Sequence, residues 1–213
     1  MKIGLINENS QATKNSIIYN SLLKVCNEKE YTLFNFGMTS NEDETLTYVE
    51  AGLLAAILLN TKVVDFVVTG CGTGQGAMLA LNSFPNVECG LITDPTDAFL
   101  FSQINAGNAI SIPYAKGFGW GSEVTLDYIF EKLFSCEFGG GYPIERKEPE
   151  QKNKKILDEI KKVTHQDLLT ILKNIDQDFL SETVNRQSFK EIFFNNAEDS
   201  EIKDYLHNIC FKQ

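Results

Sequence analysis

Cys71 stands inside Gly70-Cys71-Gly72-Thr73-Gly74-Gln75-Gly76, a stretch with four glycines in seven positions. The apolar run Ala77-Met78-Leu79-Ala80-Leu81 that follows reads as the start of a helix. A glycine turn that opens a helix offers bare backbone N–H groups and the positive end of the helix dipole to an anion. That positive end also lowers the pKa of a thiol, so Cys71 sits where a thiolate is easiest to make. A thiolate within an anion cradle suits chemistry on a phosphorylated or enolisable substrate. Read alone, a cysteine here is also a small hydrophobe at a strand end.

The elements that would position this loop alternate along the chain. Strand patterns cover Lys2–Ile6, Thr32–Phe36, Phe66–Thr69, Glu88–Ile92 and Ile110–Tyr114. Helical patterns cover Thr13–Asn27, Thr45–Leu59, Gly76–Leu81, Thr96–Gln103 and Glu123–Phe134. Such alternation predicts an α/β fold: a doubly wound, Rossmann-like, five-stranded parallel sheet in an α/β/α sandwich. Ligands of such sheets bind beyond the carboxyl ends of the strands, where Asn7-Glu8-Asn9, Gly70–Gly76, Thr93-Asp94 and Lys116–Gly119 fall. After Phe138 the pattern breaks at Gly139-Gly140-Gly141-Tyr142-Pro143, then a charged run, Lys147–Lys155. From about Asn153 apolar residues recur at helical spacing to the end. The expected division is an α/β domain over 1–147 and a helical C-terminal extension over 148–213.

Composition narrows the function classes. The chain has 213 residues, a net charge of −10 and five scattered cysteines with no C-x-x-C pair. This argues against a disulfide framework, a zinc site and nonspecific nucleic-acid binding. No apolar run nears the roughly 18 residues that span a bilayer, and the N-terminus enters a strand directly, so a cytoplasmic protein is expected. Residues 1–150 carry 9 Lys+Arg against 18 Asp+Glu, and Arg146 and Arg186 are the chain's two arginines. A phosphate would be held by a few placed cations and backbone N–H groups.

The glycine loop has two readings. Gly72-x-Gly74-x-x-Ala77, with Asp94 about 20 residues on, matches a dinucleotide fingerprint, but it follows the third strand rather than the first. The other reading rests on several motifs in order: the strand followed by Cys71-Gly72-Thr73-Gly74-x-Gly76; Val87-Glu88-Cys89-Gly90-Leu91; Asp94-Pro95-x-x-Ala98; Asn105-Ala106-Gly107-Asn108-Ala109-Ile110; and Phe138-Gly139-Gly140-Gly141-Tyr142-Pro143-Ile144-Glu145-Arg146. Together they resemble the type B ribose-5-phosphate isomerase / galactose-6-phosphate isomerase family of sugar-phosphate isomerases, over about residues 1–147. The resemblance implies aldose–ketose isomerisation of a sugar phosphate through an enediolate, with neither metal nor cofactor. It makes Cys71 the general base, with Gly72, Gly74, Gly76 and Asn105 holding the enediolate. Thr73 would orient the base or a substrate hydroxyl. Asn105, with Gly107 after it, also fits a helix C-cap. The resemblance further implies a homodimer or higher homo-oligomer whose active sites are shared between subunits.

Departures from the family pattern are concentrated at the acid and the anion clamp. The first strand ends Ile6-Asn7-Glu8-Asn9-Ser10 where the family has an S-D-H-A-G-like motif. Glu8 could replace the aspartate as hydroxyl partner or acid, whereas Asn9 cannot transfer a proton as a histidine does. The family's ring-opening histidine is Ile104 here, and residues 1–164 hold no histidine. Ring opening would then fall to Glu8, Asp94, Tyr48 or a tail histidine (His165 or His207) of another subunit; otherwise the substrate is already open-chain. In the clamp, Tyr142 replaces one arginine, leaving Arg146, with Lys116 and Lys14 as helpers. Loss of acid and clamp also fits a non-catalytic sugar-phosphate-binding partner subunit.

Overall fold

The computed structural model describes residues 1–211. Five parallel strands, β1 (Lys2–Asn7), β2 (Thr32–Asn35), β3 (Phe66–Cys71), β4 (Cys89–Leu91) and β5 (Ala109–Pro113), form one sheet in the order β2-β1-β3-β5-β4. All five expected strands are present, and β4 is the shortest, at an edge. β1 and β3 read as continuous apolar runs because both their faces are covered. Phe66 and Val68 turn to one core and Val67 to the other, the period of two that a strand imposes.

Helices α1 (Asn15–Glu28), α4 (Pro95–Leu100) and α5 (Ser122–Leu133) cover one face, where Ile18, Leu22, Ile129 and Phe130 are buried against Ile3, Leu5 and Ile110. Helices α2 (Tyr48–Asn60) and α3 (Gln75–Asn82) cover the other. Nine consecutive residues of α2, Glu50–Leu58, are buried. Thr47 starts this helix with a reciprocal capping box to Glu50.

The tail supplies the remaining cover of α2. It comprises α6 (Lys147–Thr164), α7 (Leu168–Asn174), α8 (Gln177–Val184), α9 (Gln187–Asn196) and α10 (Glu201–Phe211). Leu168, Leu172, Leu180, Phe189, Phe193 and Leu206 join Leu54, Ile57 and Leu58 in one core. Helix begins at Lys147, earlier than the apolar spacing predicts, because Glu148 and Glu150 favour the first turn and Pro149 needs no N–H partner there. Among the described residues no helix is long and apolar enough to cross a membrane.

Candidate active site

The carboxyl ends of β1, β3 and β5 meet at the glycine loop. Cys71 ends β3 beside Pro113 and is 8% exposed. Tyr114 N–H donates to the Cys71 carbonyl and Ala115 N–H to that of Gly72, each at 3.0 Å, so the loop after β5 is tied to the thiol loop. Gly74 caps α3 in the left-handed region (φ 72°), and a Cβ there would lie 2.6 Å from Leu91 Cδ1. Its carbonyl accepts the Ser111 hydroxyl at 2.6 Å. Gly76 faces the ring of Tyr48, the first residue of α2, and a Cβ at Gly76 would touch that ring at 3.4 Å. Thr73 is exposed, and its Oγ1 accepts from Gln75 N–H at 3.3 Å.

Glu8 follows β1 and is 2% exposed. Its carboxylate accepts from the backbone N–H of Ser10 at 3.0 Å and from its hydroxyl at 2.5 Å. Gln11 continues the network: Nε2 donates to Ser10 Oγ at 3.0 Å, and Oε1 accepts from Lys14 Nζ at 2.7 Å. A Cβ at Gly72 would stand 3.8 Å from Gln11 Nε2, so this amide reaches the glycine loop. Sequence reading does not single out Gln11; within the polar run Asn7–Asn15 it has no signal beyond burial. Lys14 also donates to the Tyr114 carbonyl and lies 4.5 Å over the Phe118 ring. Desolvation lowers its pKa. Asn9 is exposed, with its N–H on the Leu46 carbonyl at 2.7 Å, and Lys116 is exposed on the loop after β5.

Asp94 lies at the carboxyl end of β4, where its Oδ1 accepts from Thr96 N–H at 2.7 Å and Asp97 N–H at 3.0 Å. Through this one oxygen it caps α4.

Asn105 and Arg146 are elsewhere. Helix α4 runs into a single π turn, Phe101–Asn105, that ends at the amino end of β5. Cys71 pairs with Pro113, four residues along β5 from Ala109, so Asn105 and Cys71 are at least ~13 Å of strand apart. The Gly139–Gly141 segment hangs from this π turn through Gly139 N–H on Ser102 O (2.8 Å) and Gly141 N–H on Gln103 O (3.0 Å). Arg146 follows it, exposed, with Nε 4.0 Å from Glu150. One chain therefore gathers Cys71, Thr73, the glycines, Glu8, Asn9 and Lys116 at one end of the sheet. Asn105 stands at the other, with Arg146 on the segment tied to its π turn. Among the described residues no three His, Cys, Asp or Glu side chains cluster to hold a metal ion.

A family model described as Ribose/Galactose Isomerase matches residues 3–142, and a second, described as Ribose-5-phosphate isomerase, matches residues 163–209. Comparison with curated proteins returns no match. Among solved structures, a 4-deoxy-L-threo-5-hexosulose-uronate ketol-isomerase complexed with a tartrate is 60% identical. Its TM-score is 0.96, over 98% of this chain and 99% of that one. A ribose-5-phosphate isomerase from Vibrio parahaemolyticus is 48% identical with a TM-score of 0.95, over 98% of this chain and 99% of that one. Ribose-5-phosphate isomerase B from Clostridium thermocellum shares the fold, at 21% identity and a TM-score of 0.61, over 77% of this chain and 99% of that one.

Proposed function

Because the chain belongs to the ribose/galactose isomerase family, we propose that it is a ketol-isomerase in which the Cys71 thiolate carries a proton between adjacent substrate carbons. The observation that carries this reading is the placement of Cys71 at a strand end, where it leads into a glycine loop that opens a helix. The thiolate removes the proton beside the carbonyl, the loop N–H groups stabilise the enediolate, and the thiol returns the proton to the neighbouring carbon. No cofactor enters these steps.

The substrate class follows from the departures in acid and clamp. A 4-deoxy-5-hexosulose-uronate has an aldehyde at one end and a carboxylate at the other. Furanose closure onto its aldehyde needs a C4 hydroxyl and pyranose closure a C5 hydroxyl, and this compound has neither. An enzyme for it needs no ring-opening histidine, and a carboxylate asks less of a clamp than a phosphate dianion does. Both fit a chain with no histidine before His165 and one arginine in the α/β domain. We therefore take an open-chain keto-uronate as the first substrate. Ribose 5-phosphate is second, favoured by the 48% identical relative named for it.

The separation of Asn105 from Cys71 supports a homodimer in which one copy's Asn105 end meets the other's thiol loop. The test is turnover and solvent-deuterium exchange on both compounds. Cys71→Ala is expected to lose about 10²–10⁴-fold in both readouts. A mixture of Cys71→Ala and Asn105→Ala chains is expected to regain about a quarter of wild-type turnover, since half the dimers then hold one intact site. Binding without exchange in wild type would instead make the chain a sugar-binding partner subunit.

A further inference from the structure

The tail delivers a histidine to the end of the molecule that holds Asn105. His165 follows α6, and with Asn105 it lines a cleft of about 360 Å³ floored by Phe101, Leu157 and Ile160. The Thr164 hydroxyl lies 3.0 Å from the ring's Nδ1. The Thr164 hydroxyl has one proton and two carbonyl acceptors, Ile160 O at 3.0 Å and Lys161 O at 3.4 Å. With that proton on a carbonyl, the oxygen accepts from His165 Nδ1–H across their 3.0 Å separation, and Nε2 is then left to exchange protons.

The other titratable groups of the cleft are committed. Glu88 is paired with Lys154 at 2.7 Å, and Lys161 donates to the Val87 carbonyl. Desolvation pushes the Cys89 thiol up, away from thiolate. Asp167, two residues on, accepts from Thr170 N–H and Oγ1 to cap α7. Imidazole is the side chain suited to give and take a proton near neutrality.

We propose that His165 Nε2, in the cleft that His165 lines together with Asn105, moves the proton between the two substrate oxygens while the other copy's Cys71 moves the one between the two carbons. The inference rests on the ketol-isomerase reading above. As the C–H bond breaks, its proton goes to the thiolate and its electron pair forms the enediolate C=C. The imidazolium gives its Nε2 proton to the former carbonyl oxygen, then takes the proton of the neighbouring hydroxyl as that carbon becomes the new carbonyl. The thiol returns its proton to the other carbon. The product is an isomer, and both catalytic groups end as they began.

The experiment follows 4-deoxy-L-threo-5-hexosulose-uronate in deuterium oxide with wild type, His165→Gln, His165→Asn and Cys71→Ala. With oxygen-to-oxygen transfer impaired and Cys71 intact, the enediolate returns to substrate. Both His165 variants are therefore expected to lose about 10²-fold in turnover while deuterium wash-in to recovered substrate falls much less. The pH profile of their kcat should lose one limb. Mixing His165→Gln with Cys71→Ala chains should restore about a quarter of wild-type turnover. Equal loss of turnover and wash-in in both variants, or unchanged turnover in either, overturns the role of His165. Absence of both turnover and wash-in in wild type overturns the isomerase reading itself, and wild-type turnover in Cys71→Ala overturns the thiolate's role, so each failure is distinguishable from that of His165.

Discussion

Arg186 shows how much a single side chain can hold. It is 6% exposed and donates to the Glu44 carbonyl (2.7 Å), the Thr45 carbonyl and Glu50 Oε1 (2.9 Å). Glu50 is also the capping-box residue of α2, so this tail arginine fixes the entry to the helix whose first residue, Tyr48, covers Gly76. Desolvation pushes the Glu50 carboxyl up, but hydrogen bonds from Thr47 and Arg186 outweigh it and hold the pKa below the usual carboxylate value. A depressed carboxyl stabilises the fold above its unfolded pKa of about 4.3, and that contribution is lost as pH falls through the folded value. Arg186→Ala leaves Glu50 buried and unpaired, at a cost of about 3–5 kcal/mol. Urea unfolding at pH 7 should show this loss, and the gap between wild type and Glu50→Gln should narrow only as the pH falls below about 4.3. The glycines give a second contrast. Gly74→Ala forces a Cβ into the left-handed region and onto Leu91, costing roughly 2–4 kcal/mol, whereas a Cβ at Gly72 meets only ordinary contacts near 3.6 Å. Gly72→Ala should melt close to wild type yet bind substrate more weakly, which thermal melts and KM would separate.

At the scale of elements, the five strands and the helices between them are legible because buried parallel strands and amphipathic helices write their periods into the chain. What is not legible depends on partners distant in sequence. Helix α4 turns into a π turn around Phe101, whose ring fits where Gly90 and Gly107 have no Cβ; one at Gly107 would lie 2.3 Å from it. No local pattern announces this. The strand order is equally hidden, and with it the fact that Asn105 and Cys71 face opposite ends of the sheet. Motif order along the chain lists the site residues without saying which end each occupies. Nothing near Arg186 in the sequence announces its partner, because Glu50 lies 136 residues away. Within the charged run Lys147–Lys155, Lys154 pairs with Glu88 at 2.7 Å and docks α6 on the sheet domain, a contact its local pattern does not show.

At the scale of the whole molecule, the tail and the sheet share one core. Helix α2 is apolar all round, a composition that water tolerates only when every side is covered. The sheet covers one side and α3 another, while α7 through α10 bring Leu172, Leu180, Phe189, Phe193 and Leu206 to the rest. Removing those helices exposes a contiguous apolar patch and also removes Arg186 from the entry of α2. A chain ending after Gln166 keeps every strand, Cys71 and His165, so local chemistry alone would leave it active. The shared core predicts otherwise: this chain should bind a hydrophobic dye, aggregate at concentrations where the full chain stays dispersed, and lose turnover as the Tyr48 wall over Gly76 loosens. Size-exclusion chromatography with light scattering checks the aggregation, and kcat with KM the loss of turnover. A truncated chain that elutes as the full chain does and keeps its KM would show that the tail is an appendage, and that the cover of α2 can be lost without disturbing the thiol loop.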